Sequence, residues 1–225
     1  MVIGDTTAHR FAAIDPDVRL MLQVRDDDAG AFEELVARYQ DRLIAVLEHL
    51  VRGRDQAEDL AQEVFLRVFR ARKRYRPGAR FSTWLFTIAN NVASNALRRR
   101  RRRKEVDATT VVGGEDRQGS LDEMATAASG LMPARQLDQL ERAEMVQAAV
   151  ESLNERQRMA LLLAKFEGLS YEEISQVMEL SPQAVKSLLS RARRNLKEWL
   201  EPYIEAGRDP AAPPTASPAG SESEC

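Results

Sequence analysis

Residues 57–104 read AEDLAQEVFLRVFRARKRYRPGARFSTWLFTIANNVASNALRRRRRRK and hold two helical patterns separated by a loop. In each pattern the apolar residues recur every three or four positions and form one stripe. The first stripe is Ala57, Leu60, Ala61, Val64 and Val68, and the second is Leu85, Ile88, Ala89, Val92 and Ala96. Between them, Pro77-Gly78 predicts a turn. We therefore expect two amphipathic helices, each of which buries its stripe.

A polar face lies beside the apolar stripe of the second pattern. The helical period gathers there an aromatic ring, a hydroxyl, two amides and a guanidinium: Trp84, Thr87, Asn91, Asn95 and Arg98. Such groups stack on bases and hydrogen-bond to their edges. Trp84 could equally belong to the core, but asparagine in mid-helix lowers helix propensity and so favours a binding role. The basic tract Arg98–Lys104 suits phosphate, although it could serve only solubility.

The residues before this stretch predict two further helices. Asp15-Pro16 is typical of a helix start, and a long amphipathic helix follows it after a break. We expect Asp55 and Ser82 to cap the next two helices. Residues 15–104 thus form an all-helical first domain behind a loose N-terminal arm, residues 1–14.

Two segments lack a helical pattern. Residues 105–136 are rich in Gly and in scattered Asp and Glu, which predicts a flexible acidic linker. Residues 202–225 are rich in Pro, Ala, Ser and Glu, so we expect a disordered tail. Between them, residues 137–201 regain helical periodicity and form a second domain. The expected class is therefore all-α, with two helical domains joined by a flexible linker.

The second domain contains a helix-turn-helix pattern. Residues 170–173 (SYEE) are a capping box, and Glu179-Leu180-Ser181 forms the turn before a helix that begins at Pro182. One side of this last helix is apolar. The other side has the composition of a helix that enters a DNA major groove: Gln183, Lys186, Ser187, Ser190, Arg191 and Arg194. A plain surface helix would also be polar there, but the capping box, the turn and the basic run together favour DNA binding.

Composition and charge limit the classes of function that this chain can have. The net charge is −2, yet positive charge is concentrated in two separated patches. The sequence has no apolar run of membrane-span length and no signal peptide, so direct membrane insertion is not expected. The single cysteine, Cys225, fits a reducing cytoplasm, and the 2 histidines are too far apart to suggest a metal site. No phosphate loop, HExxH or Ser elbow occurs, so we expect no enzyme and no cofactor.

Two blocks of the sequence resemble a known family. AEDLAQEVFLRVF followed by FSTWLFTIANNVASNALRRR resembles the second region of bacterial sigma factors of the extracytoplasmic-function type. LNERQRMALLLAKFEGLSYEEISQVMELSPQAVKSLLSRARRNL resembles the fourth region of that family. The resemblance implies a promoter-specificity subunit whose first domain reads the −10 element and whose second domain reads the −35 element. The chain departs from the family pattern at Glu179, where relatives often have Gly, and at Leu188, where many have a basic residue.

The resemblance also implies partners. In this family an acidic helix docks on a basic coiled coil in the clamp of core RNA polymerase, formed by the beta-prime subunit, and Asp59, Gln62 and Glu63 match that helix. On spacing alone these residues would be a solvated, mildly self-repelling face. The other implied partners are the flap of the beta subunit, promoter DNA and a separate anti-sigma protein. Two alternatives stay open: a stand-alone helix-turn-helix activator, and a helical module that binds RNA through its arginine tract.

Overall fold

The computed structural model describes residues 11, 13, 15–51, 53–110 and 144–206, with side chains up to residue 103 in the first domain and residue 203 in the second. The first domain consists of α1 (Pro16–Arg25), α2 (Ala29–Val51), α3 (Arg54–Ala71), a 3-10 turn (Arg72–Arg74) and α4 (Phe81–Thr110). The second consists of α5 (residues 144–152), α6 (Glu155–Lys165), α7 (Tyr171–Met178) and α8 (Pro182–Ala206). The all-α class is confirmed, because these ranges hold helices and no strand.

The ends of two helices differ from the predicted domain limits. Helix α4 continues to Thr110, past Lys104, and helix α8 continues through Pro202 to Ala206. The rings of Trp199 and Tyr203 stack at 5.1 Å between centroids across the proline turn of α8. The rest of the predicted linker and tail lies outside the described residues, as does most of the predicted N-terminal arm.

The predicted apolar stripes form the core of the first domain. Ala57, Ala61, Val64 and Val68 of α3 are at most 2 % exposed, and they pack between α2 and α4. The stripe of α4 is buried at Leu85, Ala89 and Val92, whereas Ile88 and Ala96 are half-buried. Because both stripes are buried, the polar sides of α3 and α4 point away from the core.

Both predicted caps in the first domain are wrong. Helix α3 begins after Gly53 with no side-chain cap, and Asp55 lies in its first turn, where its charge still complements the helix dipole. Helix α4 begins at Phe81 rather than after Ser82. The Phe81 amide donates to Asp15 Oδ2 at 2.9 Å, while Asp15 Oδ1 accepts from the amide of Asp17 at 2.9 Å. One carboxylate therefore caps α1 and also satisfies the start of α4, a long-range contact that local sequence does not encode.

The local signals of the second domain are confirmed. Ser170 and Glu173 form the capping box of α7, and Ser181 Oγ accepts from the amide of Ala184 at the start of α8. Glu179 ends α7 in the left-handed conformation, with φ 53°. This conformation costs a non-glycine residue roughly 1–2 kcal/mol, which explains why a glycine suits the position. The helix-turn-helix therefore forms, but with a strained residue in its turn.

The two domains pack directly on each other. Helix α4 contacts α7, and α2 contacts α6, so that the buried side chains of both domains form one continuous cluster. Within the described ranges, every helix is too short or too polar to span a membrane.

Candidate nucleic-acid and protein interfaces

The polar face predicted on α4 is present, and its residues differ in exposure. Asn91, Asn95 and Arg98 are exposed. Thr87 is half-buried, and its hydroxyl donates to the carbonyl of Thr83 at 2.8 Å. Trp84 is half-buried and packs on the rings of Tyr75 and Phe81, at centroid distances of 4.8 and 6.0 Å. Trp84 therefore has a packing role, and its ring also borders a cavity at this face.

This cavity, of about 240 Å³, lies between α4 and the loop that precedes it. Its walls are Tyr75, Arg76, Gly78, Ala79, Thr83, Trp84, Thr87 and Gln176. Tyr75 is 4 % exposed, and its hydroxyl has no hydrogen-bond partner within the part of the chain that is described. Burial raises the pKa of Tyr75, so the group stays a neutral hydroxyl donor. Tyr75 and Arg76 could not be predicted from the sequence, because the loop has no periodicity from which the direction of their side chains could be inferred.

The basic tract divides into two groups by what its side chains contact. Arg98, Arg99, Arg102 and Arg103 are exposed on the outside of α4. Two other arginines are also exposed but contact other helices of the chain. Arg100 donates to the carbonyl of Val51 at 3.0 Å, and Arg101 pairs with Glu155 of α6 at 2.6 Å. The side chain of Lys104 is not among those that the structure describes. Part of the tract is therefore engaged within the protein, and the rest faces solvent, where phosphate could bind.

The predicted polar face of α8 is fully exposed. Gln183, Lys186, Ser187, Ser190, Arg191 and Arg194 are all exposed, whereas Val185, Leu189 and Ala192 on the other side are completely buried. Leu188 is half-buried and packs against the core, which accounts for an apolar residue there. The helix thus presents a row of amide, hydroxyl and cationic groups over more than three turns, a length that fits a major groove.

The acidic residues of α3 lie on its outer side. Asp59 and Gln62 are exposed, and Glu63 is half-exposed. Arg67 Nε lies 2.7 Å from Glu63 Oε1, and this hydrogen bond lowers the pKa of Glu63. These three side chains make no contact that buries them, so they remain available to a partner.

An apolar groove lies next to these acidic residues, between α2 and α3. It has a volume of about 680 Å³ and is lined by Phe32, Val36, Gln40, Asp41, Ile44, Arg54, Glu58, Ala61, Gln62, Phe65, Leu66 and Phe69. Leu66 is 49 % exposed and Phe69 is 39 % exposed, although both are large and apolar. Exposed apolar residues grouped beside polar ones are typical of protein-binding surfaces. These two residues could have been identified from the sequence, because Leu66 and Phe69 are apolar but do not occupy the helical positions of the buried stripe of α3.

Comparisons with known proteins agree with this geometry. The family model described as Sigma-70 region 2 matches residues 35–103, and the one described as Sigma-70, region 4 matches residues 143–196. RNA polymerase sigma factor CarQ of Myxococcus xanthus is 38% identical, with 84% of this chain and 100% of CarQ aligned. The ECF RNA polymerase sigma-E factor of Escherichia coli (strain K12) is 35% identical, covering 84% of this chain and 96% of sigma-E.

A solved structure is similar as well. The sigma factor RpoE from Bartonella quintana, in complex with the anti-sigma factor NepR, superposes with a TM-score of 0.55 at 26% identity, covering 76% of this chain and 96% of RpoE. The aligned relatives extend across both domains, in the order that the sequence shows. The chain belongs to the extracytoplasmic-function family of RNA polymerase sigma factors, the subunits that direct core polymerase to promoters to initiate transcription.

Proposed function

We propose that this sigma factor acts as a non-catalytic specificity subunit with three separate binding surfaces. Residues 15–104 bind core polymerase and read the −10 element, and residues 137–201 read the −35 element. The observation that carries the proposal is that α3, α4 and α8 each bury an apolar stripe and expose most of the polar residues interleaved with it. Core polymerase is the enzyme that the protein joins, so the protein works in the cytoplasm.

The −10 surface consists of α4 and the loop before it. Asn91 and Asn95 offer amide donors and acceptors to base edges, and Arg98 follows them along the helix toward the strand backbone. The cavity beside Trp84 has room for a planar ring, and the unpaired hydroxyl of Tyr75 needs a partner because burying it alone costs free energy. Together these features support capture of an unpaired base from the melted −10 strand.

The −35 surface is the exposed side of α8. Lys186 and Arg191 supply charged donors suited to guanine O6 and N7, while Gln183 can pair with adenine. Ser187, Ser190 and Arg194 complete the face toward the phosphates. The second domain also contacts the flap of the beta subunit, and this contact holds α8 over the upstream DNA.

The polymerase surface consists of Asp59, Gln62 and Glu63 together with the apolar groove. A basic coiled coil of the clamp, in the beta-prime subunit, fits this surface because its cations meet the carboxylates of α3. Leu66 and Phe69 then give the contact an apolar centre beside that charged rim, which is the usual anatomy of a protein interface.

An anti-sigma protein is the remaining partner. The similar RpoE structure contains the anti-sigma factor NepR. We therefore propose that a separate anti-sigma protein holds this sigma factor until a signal arrives. Such a protein competes with core polymerase if it covers the groove between α2 and α3.

In vitro transcription tests the proposal. Purified core polymerase is incubated with the full chain and with genomic fragments, and the start sites are mapped. We expect discrete start sites that depend on the chain and share sequence at −10 and −35. If the chain has no affinity for core polymerase, the proposal fails and a polymerase-independent activator is the better description.

A further inference from the structure

A cavity of about 250 Å³ lies where the two domains meet, with walls from α2, α4, α6 and the end of α7. The covered part of its lining is apolar, because Leu50 and Met159 are buried there and Leu97 and Met178 are half-buried. The remaining lining is polar and mostly cationic: Asn90, Ser94, Arg98, Arg101, Glu155 and Arg156. The cavity thus combines an apolar interior with a charged opening, as ligand sites commonly do.

Two of the arginines at this cavity have no protein partner. Arg98 of α4 and Arg156 of α6 are exposed, and neither forms an ion pair or hydrogen bond with any residue that the structure describes. Arg101 differs, because it pairs with Glu155 at 2.6 Å and their charges compensate each other. Two uncompensated positive charges therefore border one opening. Like charges held near each other repel, and an anion bound between them removes the repulsion.

A neighbouring cavity, of about 380 Å³, shares a wall with the first but has no comparable pair of unpartnered arginines among its lining residues. Its two further arginines donate to backbone carbonyls, Arg100 to that of Val51 at 3.0 Å and Arg158 to that of His49 at 2.9 Å. These cations are therefore already hydrogen-bonded within the protein. An anionic group is expected in the first cavity rather than in this one.

The lining of the first cavity also indicates what the anion is attached to. Guanidinium groups stay charged and bind phosphate through two parallel hydrogen bonds. The thioethers of Met159 and Met178 are polarizable and flexible, so they pack well against a flat aromatic ring. Asn90 Nδ2 donates to the carbonyl of Val177 at 3.2 Å, which leaves the Asn90 side-chain oxygen to accept from a base edge. Ser94 offers a hydroxyl to a sugar.

The size of the cavity limits the ligand further. Sites for drug-sized ligands are roughly 300–1,000 Å³, and this cavity is slightly smaller. One base and one sugar would fill it, with the phosphate at the exposed arginines. A dinucleotide would not fit inside.

We propose that this cavity is a binding site for a nucleoside monophosphate, whose phosphate lies between Arg98 and Arg156 and whose base packs on Met159 and Met178. The site is separate from the surfaces that we assign to core polymerase and to the −35 element. It shares Arg98 with the proposed −10 surface, so a bound nucleotide competes with the strand backbone for that side chain.

Methyl NMR of the full chain tests where the nucleotide binds. The chain has 7 methionines, and labelling of their methyl groups gives a separate signal for each. Addition of AMP or GMP should shift the signals of Met159 and Met178 in a saturable way, with a Kd below ~1 mM. Met21 is fully buried in the first domain, and its signal should not move. A Kd above ~1 mM, or no shift at Met159 and Met178, would overturn the proposal.

Fragments of the nucleotide separate its two halves. Adenosine lacks the phosphate and ribose phosphate lacks the base, so each should bind at least about tenfold more weakly than AMP. If ribose phosphate binds as tightly as AMP, the cavity recognises an anion alone and the assignment to a nucleotide is wrong.

Variants of exposed residues test the assigned contacts without disturbing the core. Arg156→Ala should weaken AMP binding by about tenfold or more and leave helical content unchanged. Arg99→Ala is the matched control, because Arg99 is also an exposed arginine of the basic tract but does not line the cavity, and it should change the affinity by less than about twofold. Equal losses would show that the charge of the tract, and not the cavity, binds the nucleotide.

A second variant fills the cavity and keeps every arginine. Ser94 is exposed at the opening, so Ser94→Phe should abolish AMP binding while the protein stays folded. Unchanged affinity in this variant would place the nucleotide elsewhere on the chain.

Duplex DNA is another source of phosphate, and the same variants distinguish it. If Arg156→Ala weakens binding of duplex DNA but leaves the affinity for AMP unchanged, Arg156 belongs to a DNA surface and this inference fails. Start-site mapping with core polymerase does not depend on the cavity, so the proposed function stands if AMP does not bind. Equally, AMP binding stands if the chain has no affinity for core polymerase.

Discussion

Reversing the charge of Asp59 and Glu63 should separate polymerase binding from folding. Asp59 is exposed, and Glu63 shares a salt bridge with Arg67 in which the two side chains are 38% and 42% exposed. Water screens a pair this exposed, so Asp59→Lys with Glu63→Lys should leave helical content unchanged and the melting temperature within about 4 °C of wild type. The lysine introduced by Glu63→Lys would lie one turn from Arg67, which adds only a small repulsion.

Binding to core polymerase should respond very differently. A charge pair that is desolvated in a protein interface couples far more strongly than one in water, and reversal would set like charges against the basic clamp that we propose as the partner. We expect a loss of affinity between ~10-fold and more than ~10⁴-fold. Fluorescence anisotropy of labelled chain titrated with core polymerase measures this, and run-off transcription should fall in parallel.

The control makes the same change in net charge elsewhere. Asp26→Lys with Glu33→Lys alters two exposed side chains of the first domain that do not line the groove. This variant should bind core polymerase within about threefold of wild type, because long-range charge effects are screened at physiological salt. If the Asp59 and Glu63 variant also stays within that range, the docking surface lies elsewhere on the chain.

Four other outcomes are expected. Leu66→Ser should weaken core binding several-fold but lower the melting temperature by no more than about 2 °C, because half of the side chain is already exposed. Titration with core polymerase measures the affinity, and a thermal melt measures the stability. Lys186→Ala and Arg191→Ala should each cost ~1–3 kcal/mol on a cognate −35 duplex and little on a scrambled one; unchanged preference in a gel-shift competition would refute the assignment. Asn91→Ala should reduce transcription from duplex promoter more than from a pre-melted template, and equal activity on both would remove it from the site. Glu179→Gly should raise the melting temperature by a few degrees, since it relieves a left-handed residue at φ 53°, and a lower value would show that the turn is not strained.

The parts of this structure that could be predicted from sequence are those set by neighbours along the chain. The stripes of α3 and α4, the capping box at Ser170 and the two faces of α8 all arise from helical period and from backbone groups within one turn. The same period predicted the exposed polar residues of α8 and most of those of α3 and α4, because burial of one face fixes the direction of the other, whereas Trp84 and Thr87 are half-buried.

The features that were not predicted depend on residues far apart in the chain. Asp15 caps the start of α4 across 66 positions, so Ser82 is not needed there. Arg100 and Arg101 lie in a tract that suits phosphate, yet they contact Val51 and Glu155, which belong to other helices. A run of arginines specifies charge but not its partner, since the partner depends on how the domains pack.

The acidic residues of α3 and the apolar groove form a surface that the packing of the two domains leaves exposed. Asp59, Gln62 and the groove beside Leu66 are exposed, because the contacts between the domains involve other ends and faces of α2 and α4. In the function that we propose, core polymerase therefore reaches the first domain without displacing the second.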